Sequence, residues 1–481
     1  MEITLLGTGA ADGWPNPFCT CSSCEAMRVA GEIRGQTSAL IDEVILLDCG
    51  PETPRAAERA RRPLSRVHTI LLTHAHPDHV GPAALLWRAW AQRREPLEVI
   101  GPSSAIELCR AWVGPDDPVT FTEVGAGQAF VRSGYQIRTL AANHTVSAHE
   151  LDSIAAGAVL YDVTSPDGSR ILYATDTGPL ADETLDVVSR DVADTPYDIV
   201  MLEATFGDRV AGVDLGDQHH DLNTFATTIA SLRRTGAVTD NTDLIAIHLG
   251  HHNPPTPQLN ARLSAWGARA VPDGTLLPTR AEASLSSGGV SPSRRRLILG
   301  GARSGKSRHA EELLMAHPRV TYVASGLDRG DDPEWTARIA EHQQRRPSHW
   351  ITTETTDLVG VLESAASNEG VLIDCLTVWL AAVCDDVDRW TTPELRDADA
   401  DDAVQQRIAG LIEAIRRTPA QVVLVSNEVG SGIVPDSHSG REFRDLLGTL
   451  NSQVARACDQ TVLVVAGHVV NLTVQDEATR P

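Results

Sequence analysis

The sequence predicts an α/β chain of two domains, the second built on a mostly parallel sheet. Three observations predict it. At 481 residues the chain exceeds what one hydrophobic core usually organises. In its second half a glycine-rich loop follows the apolar run Leu297-Ile298-Leu299 and precedes a helical segment from about Arg308 to Met315. Further along, short apolar strands alternate with helical segments, the pattern of a mostly parallel sheet.

Composition narrows the function classes. A net charge of −23 argues against nucleic acid or an anionic membrane as partner. A hydrophobic content of 42% suits a globular protein. No apolar run reaches the length of a membrane span, and Met-Glu-Ile-Thr opens the chain without a basic-then-apolar leader. These features place it in the cytoplasm. Eight cysteines, three of them bunched, suggest metal binding rather than a disulfide framework.

Ile3 to Gly9 reads as a strand entering a glycine turn. Cys19, Cys21 and Cys24 follow, three thiols that suit a structural zinc at about 2.3 Å per Zn–S bond, with a fourth ligand from elsewhere. Segments 38–48 and 66–73 read as strands. The second runs into His74-Ala75-His76-Pro77-Asp78-His79, four ligand-type side chains on one loop, more than a single open metal site needs. Single candidates then follow three later strands: His144 after Tyr135–Leu140, Asp176 after Ile171–Tyr173, and His248 after Leu244–Ile247.

Over about residues 1–280 this set resembles the metallo-β-lactamase-fold hydrolases. The resemblance implies an αββα sandwich holding two divalent metals, zinc or manganese. His74, His76 and His144 would take one, Asp78, His79 and His248 the other, and Asp176 would bridge. The thiol cluster, with His251 as its fourth ligand, is similar to the structural zinc site of the phosphoribosyl cyclic phosphodiesterase branch. That branch also implies a further histidine near the leaving oxygen, either His219 or His220. Two cations about 3.5–4 Å apart supply hydroxide at neutral pH, so phosphodiester hydrolysis is expected. Thioester or lactone hydrolysis, or a metal-bound domain that has lost catalysis, are the alternatives.

Residues 281–295, rich in Ser, Gly and Arg, read as a flexible linker between domains at 1–280 and 296–481.

In the second domain Gly300-Gly301-Ala302-Arg303-Ser304-Gly305-Lys306-Ser307 has the spacing of a phosphate loop. Glycines let backbone N–H groups surround a phosphate chain, Lys306 reaches the terminal phosphates, and Ser307 reaches Mg2+. Lys306 is the only lysine in a chain otherwise reliant on arginine. Val320–Ser325 reads as a strand and Asp332–Arg346 as a helix. Val371 to Asp374 is an apolar strand ending in an acid suited to Mg2+, and Gln421–Ser426 and Gln460–Ala466 are further strands. Asp397–Asp402 reads as a solvated loop.

The loop, Ala337-Arg338-Ile339 with His342, Arg346-Pro347 with His349-Trp350, and Ser426-Asn427-Glu428-Val429-Gly430 closely resemble the adenosylcobinamide kinase/adenosylcobinamide-phosphate guanylyltransferase family, over about residues 294–481. The resemblance implies two reactions. ATP or GTP phosphorylates adenosylcobinamide; then GTP passes GMP to a histidine, His342, and on to the phosphorylated cobinamide. It places Glu428 with the nucleotide-binding residues and implies a homotrimer. The alternative for the whole chain is a metal-dependent phosphodiesterase whose phosphate-loop domain only binds or senses a nucleotide.

Overall fold

The computed structural model describes residues 1–145, 157–190, 195–208, 218–279, 294–325, 346–390 and 400–473. The chain divides into two compact units, Met1–Val290 and Ser291–Pro481. Most of the expected linker and of the Asp332–Arg346 helix, including His342, lies outside the described residues.

The first unit contains two seven-stranded sheets. One has the spatial order Leu276–Pro278, Glu2–Gly7, Ser38–Ile41, Ile45–Leu47, Thr69–Leu71, Leu97–Gly101, Val119–Glu123. The other has the order Ala268–Ala270, Asp243–Ile247, Ile199–Glu203, Arg170–Ala174, Val159–Thr164, Tyr135–Ala141, Ala129–Arg132. Each is antiparallel on one side and parallel on the other.

Strand periodicity explains the layers. Ile3 and Leu5, Ala39 and Ile41, Ile45 and Leu47 join a core with Tyr161, Tyr173, Met201 and Ile247 of the facing sheet. The intervening Leu6, Leu40 and Leu46 join a second core with Ala56, Leu85 and Ile106, which lie on the helices Thr53–Arg59, Ala83–Trp90 and Ser103–Arg110. Strands covered on both faces are apolar at successive positions, as these are. On the far side helix Leu222–Arg234 buries Leu222, Phe225 and Ile229, with Phe225 against Trp266. The unit is an αββα sandwich.

Two local expectations need correction. Segment 38–48 is a tight hairpin, turning at Asp42 and Glu43 with φ of 46° and 59°. Two acids inside an apolar run mark that turn. In the acidic patch, Asp401 and Asp402 form the first turn of helix Ala400–Arg417, where carboxylates favour the positive helix end; 391–399 lie outside the described residues.

The second unit is one seven-stranded sheet: Ile351–Glu354, Val320–Ala324, Gly370–Asp374, Gln421–Asn427, Arg295–Gly300, Gln460–Val465, His468–Asn471. All neighbours are parallel except the last pair. Gly300 pairs with Asn427, and Asp374 with Ala324, so the carboxyl ends of four strands form one edge.

A buried ion pair braces the second sheet of the sandwich. Asp162 accepts from Arg170 Nη2 at 2.7 Å, Arg138 Nη2 at 2.5 Å and the Tyr197 hydroxyl at 3.0 Å. Burial opposes its ionisation, but Arg170 and Arg138 outweigh that and hold the carboxyl below the usual range. Asp162→Ala strands buried guanidinium charge and is expected to cost about 3–5 kcal/mol in urea unfolding at pH 7. The wild-type advantage is present at neutral pH and disappears as pH falls through the depressed folded value of Asp162.

Candidate metal centre and phosphate loop

The ligand-type residues of the first unit sit just beyond strand ends, where backbone leaves the sheet and side chains can converge. His74 follows strand Thr69–Leu71, His144 follows Tyr135–Ala141, Asp176 follows Arg170–Ala174, and His248 follows Asp243–Ile247. Asp176 and His248 are left-handed, φ 46° and 53°, which turns each chain sharply after its strand.

Two groups meet there. His74, His76, His144 and Asp176 form one, and Asp78, His79, Asp176 and His248 the other; the ligand atoms within each lie within 4.8 Å of one another. Asp176 is common to both. Its Oδ2 is 3.3 Å from His74 Nε2, and its Oδ1 is 3.2 Å from His79 Nε2 and 3.0 Å from His248 Nε2. Asp78 Oδ2 is 3.0 Å from His79 Nε2 and 3.4 Å from His248 Nε2. His144 Nε2 faces His76 Nδ1 at 3.3 Å.

Two tests show that these residues fit cations. Atoms bound at about 2.0–2.1 Å to one tetrahedral ion stand about 3.4 Å apart, the scale of the spacings above. The buried Nε2 atoms of His74 and His79 lie close to the oxygens of Asp176 and Asp78, yet make no properly directed hydrogen bond among the described residues. The other ring nitrogens are taken. Nδ1 of His79 donates to Asp48 at 2.8 Å, and Nδ1 of His144 to the Gln218 carbonyl at 3.3 Å. Nδ1 of His74 and His248 pairs with the hydroxyls of Thr73 and Thr205 at 3.0 and 2.9 Å. Fixing the outer nitrogen selects the tautomer that presents the inner one.

The electrostatics agree. Burial, then His74, brings His76 down to about 4, and brings His144 down to about 3, keeping both neutral and able to coordinate. Burial disfavours charge on His248 too, but Asp176 and Asp78 outweigh it and raise it to about 10. The paired carboxylates thus favour positive charge at this position.

His219 and His220 separate clearly. His219 Nδ1 donates to Glu203 Oε1 at 2.9 Å, and its ring lies 4.8 Å from that of His144 and 6.0 Å from that of His248. His220 is fully buried, and neither of its ring nitrogens has a partner among the described residues. Both precede helix Leu222–Arg234, whose start Asp221 fixes by accepting from the Thr224 N–H at 2.8 Å. Two carboxylates were missed by sequence reasoning. Asp48 holds the Thr73 N–H at 2.8 Å as well as His79. Glu203 accepts from Thr177 N–H at 2.6 Å, from Thr205 and from His219. Each ends an apolar strand, a faint signal that Asp176 also carries.

The thiol cluster also closes. Cys19, Cys21, Cys24 and His251 converge within 4.8 Å, with Cys21 Sγ 3.8 Å from His251 Nδ1. Burial opposes ionisation of Cys21, but the Cys24 N–H, His251 and Cys19 outweigh it and bring the thiol to about 6. Burial pushes Cys24 up to about 12.

In the second unit the loop after strand Arg295–Gly300 enters helix Lys306–Leu314. A Cβ on Gly300 would lie 2.4 Å from Ser304 Oγ and 2.7 Å from the Val464 carbonyl, and Gly305 has φ 95°, so both positions require glycine. Nothing lies within 4 Å of a Cβ built on Gly301, so that backbone is open. Arg303 is left-handed, φ 56°, and Ser304 Oγ is buried without a partner among the described residues. Ala302 and Ser307 flank these turns. Lys306 Nζ donates to the Gly301 carbonyl at 3.1 Å, folding its ammonium back over the loop. Asp374 ends its strand on the same sheet edge and accepts from the Tyr322 hydroxyl at 3.0 Å. Glu428, one residue beyond strand Gln421–Asn427, donates its N–H to the Gly300 carbonyl at 3.2 Å, tying that strand end to the loop. His349 Nε2 pairs with the His317 carbonyl at 3.3 Å.

Residues 296–472 match the family model described as cobinamide kinase / cobinamide phosphate guanyltransferase, and residues 43–249 match the beta-lactamase superfamily domain. Over 174 residues the chain is 44% identical to the bifunctional adenosylcobalamin biosynthesis protein CobU of Escherichia coli, covering 36% of this chain and 95% of that one. Over 153 residues it is 31% identical to ribonuclease Z of Methanothermobacter thermautotrophicus, covering 30% of this chain and 45% of that one. Among solved structures, Zn(2+)-bound PqqB from Methylobacterium extorquens is 19% identical with a TM-score of 0.47, covering 58% of this chain and 100% of that one.

Proposed function

Through its second unit the chain belongs to the cobinamide kinase / cobinamide phosphate guanyltransferase family, and from that premise we propose how each unit performs its chemistry. It is a bifunctional transferase of cobalamin biosynthesis fused to a metallo-β-lactamase-fold hydrolase domain. The observation that carries the transferase reading is the phosphate loop with Lys306, inside a unit that spans nearly all of a 44% identical relative.

The second unit phosphorylates the hydroxyl of adenosylcobinamide with ATP or GTP and then attaches GMP from GTP. Backbone N–H groups from Gly301 to Lys306 and the Lys306 ammonium hold the phosphates. Ser307 and Asp374 would hold Mg2+, which shields phosphate charge, and Glu428 would stand with the nucleotide-binding residues. His342 attacks the α-phosphorus of GTP: an N–P bond forms, pyrophosphate leaves, and the cobinamide phosphate oxygen then displaces the imidazole. The family resemblance supports a homotrimer and a cytoplasmic setting.

The first unit is a phosphodiesterase. His74, His76, His144, Asp78, His79 and His248 would hold two divalent cations, zinc or manganese, with Asp176 between them; such cations supply hydroxide at neutral pH and offset charge on the phosphoryl oxygens. Glu203 fixes His219 with Nδ1 as donor, which leaves Nε2 to face the leaving oxygen. His220 is a core residue. Cys19, Cys21, Cys24 and His251 would hold a structural zinc.

Two experiments test the halves separately. With α-labelled GTP the wild type is expected to acquire acid-labile, base-stable label and to convert adenosylcobinamide to its GDP derivative. His342→Ala should lose the label, and Lys306→Ala should lose both steps; full labelling of His342→Ala refutes the assignment. With manganese and bis-p-nitrophenyl phosphate, His219→Ala is expected to retain its metal but lower kcat by about 10²–10⁴-fold. Equal inertness of wild type and His76→Ala refutes diester hydrolysis.

A further inference from the structure

We propose that Phe206 and His252 form a stacking ledge beside the dinuclear cluster, and that the hydrolase substrate is a phosphodiester carrying a planar heteroaromatic ring of nucleoside type. This rests on the phosphodiesterase reading and adds a substrate class to it. Rings step outward from the cluster: His144 to His219, 4.8 Å between centroids; His219 to Phe206, 5.5 Å; Phe206 to His252, 5.4 Å. Burial falls along the same path. His144 is buried, His219 and Phe206 are half-buried, and His252 is exposed.

Core filling does not explain Phe206. The chain has only six phenylalanines, and Phe225 of the same unit is completely packed away. Phe206 instead is only half-buried, one residue beyond Thr205, whose hydroxyl touches both Glu203 and His248. The backbone beneath the ring is clamped on two sides. Phe206 N–H donates to the His220 carbonyl at 3.0 Å, and Leu222 N–H to the Gly207 carbonyl at 2.8 Å. Gly207 has φ 47°, and a Cβ there would lie 2.2 Å from the His252 carbonyl, so only glycine lets the two segments meet. The backbone beneath Phe206 is therefore fixed before any ligand arrives, and a ring with only two side-chain torsions loses little freedom on stacking.

A hydrocarbon face next to imidazoles suits a neutral planar ring. Aromatic platforms accept such rings with little regard to their substituents, because every base has a π-face. The anionic diester meanwhile lies toward the cluster, one ring away. Hydrolysis consumes one water: a P–O bond to its oxygen forms, one ester P–O bond breaks, the leaving oxygen takes a proton, and a phosphomonoester remains.

The test compares kcat/KM of the manganese-loaded full chain on thymidine 5′-p-nitrophenyl phosphate and on methyl p-nitrophenyl phosphate. Wild type is expected to prefer the thymidine ester. Phe206→Leu should cut that ratio by on the order of tenfold, mainly through KM, whereas Phe206→Tyr, which keeps the ring, should preserve it. A ratio unchanged in Phe206→Leu overturns the ledge. If wild type hydrolyses neither ester, the phosphodiesterase reading fails, and calorimetric titration with thymidine 3′-monophosphate decides the ledge alone. Weaker binding by Phe206→Leu than by wild type supports it; equal binding, or none, overturns it.

Discussion

The first unit is arranged around a carboxylate that cannot stand alone. Asp176 is almost completely buried and meets three imidazoles, His74, His79 and His248, within 3.3 Å. Asp78 adds a second buried charge, and Asp48 and Glu203 stand just behind. Four carboxylates gathered inside a protein cost far too much unless positive charge answers them. Imidazolium protons can supply some, and divalent cations supply more, with coordination geometry to match. The sandwich provides the rigidity: its strands deliver these groups from both sheets to one rim, and the paired cores prevent the rim from relaxing.

The second unit inverts the sign of the same design. Parallel strands again end along one edge, but what gathers there is a receptor for negative charge. Gly300 and Gly305 allow the backbone to turn tightly, and Lys306 brings a compact ammonium over the open loop. Acids stay at the margin, as Asp374 does, where a counter-ion for the phosphate chain would sit. One unit thus gathers carboxylates and imidazoles suited to cations, and the other gathers backbone N–H groups and an ammonium suited to an anion. Fusion puts a metallo-β-lactamase-fold hydrolase domain and a transferase on one chain.

Much of this was readable from residue order, for a physical reason. A ligand at a strand end follows an apolar run, so His74, His144, Asp176 and His248 stand out against hydrophobic sequence, and the structure brings them together. The phosphate loop is readable because its backbone demands glycine at Gly300 and Gly305. Asp48 and Glu203 escaped notice because a single acid after an apolar run has no partner spacing to mark it; its role exists only once other strands close around it. Adjacent histidines at 219 and 220 were equivalent in sequence and became distinct only when the turn before helix Leu222–Arg234 sent one toward Glu203 and the other into the core. The hairpin at Asp42 and Glu43 was read as one strand because its two flanking strands are short and equally apolar, although the adjacent acids mark its turn.

The most direct test of the central claim is metal content located by anomalous diffraction at the zinc and manganese edges. The account predicts two peaks flanking Asp176 and a third among Cys19, Cys21, Cys24 and His251, with the Asp176 pair weakened in Asp176→Ala and the thiol peak retained. Metal-loaded crystals with no peak beside Asp176 would show that the cluster is only a buried network of carboxylates and imidazoliums, and would contradict the account.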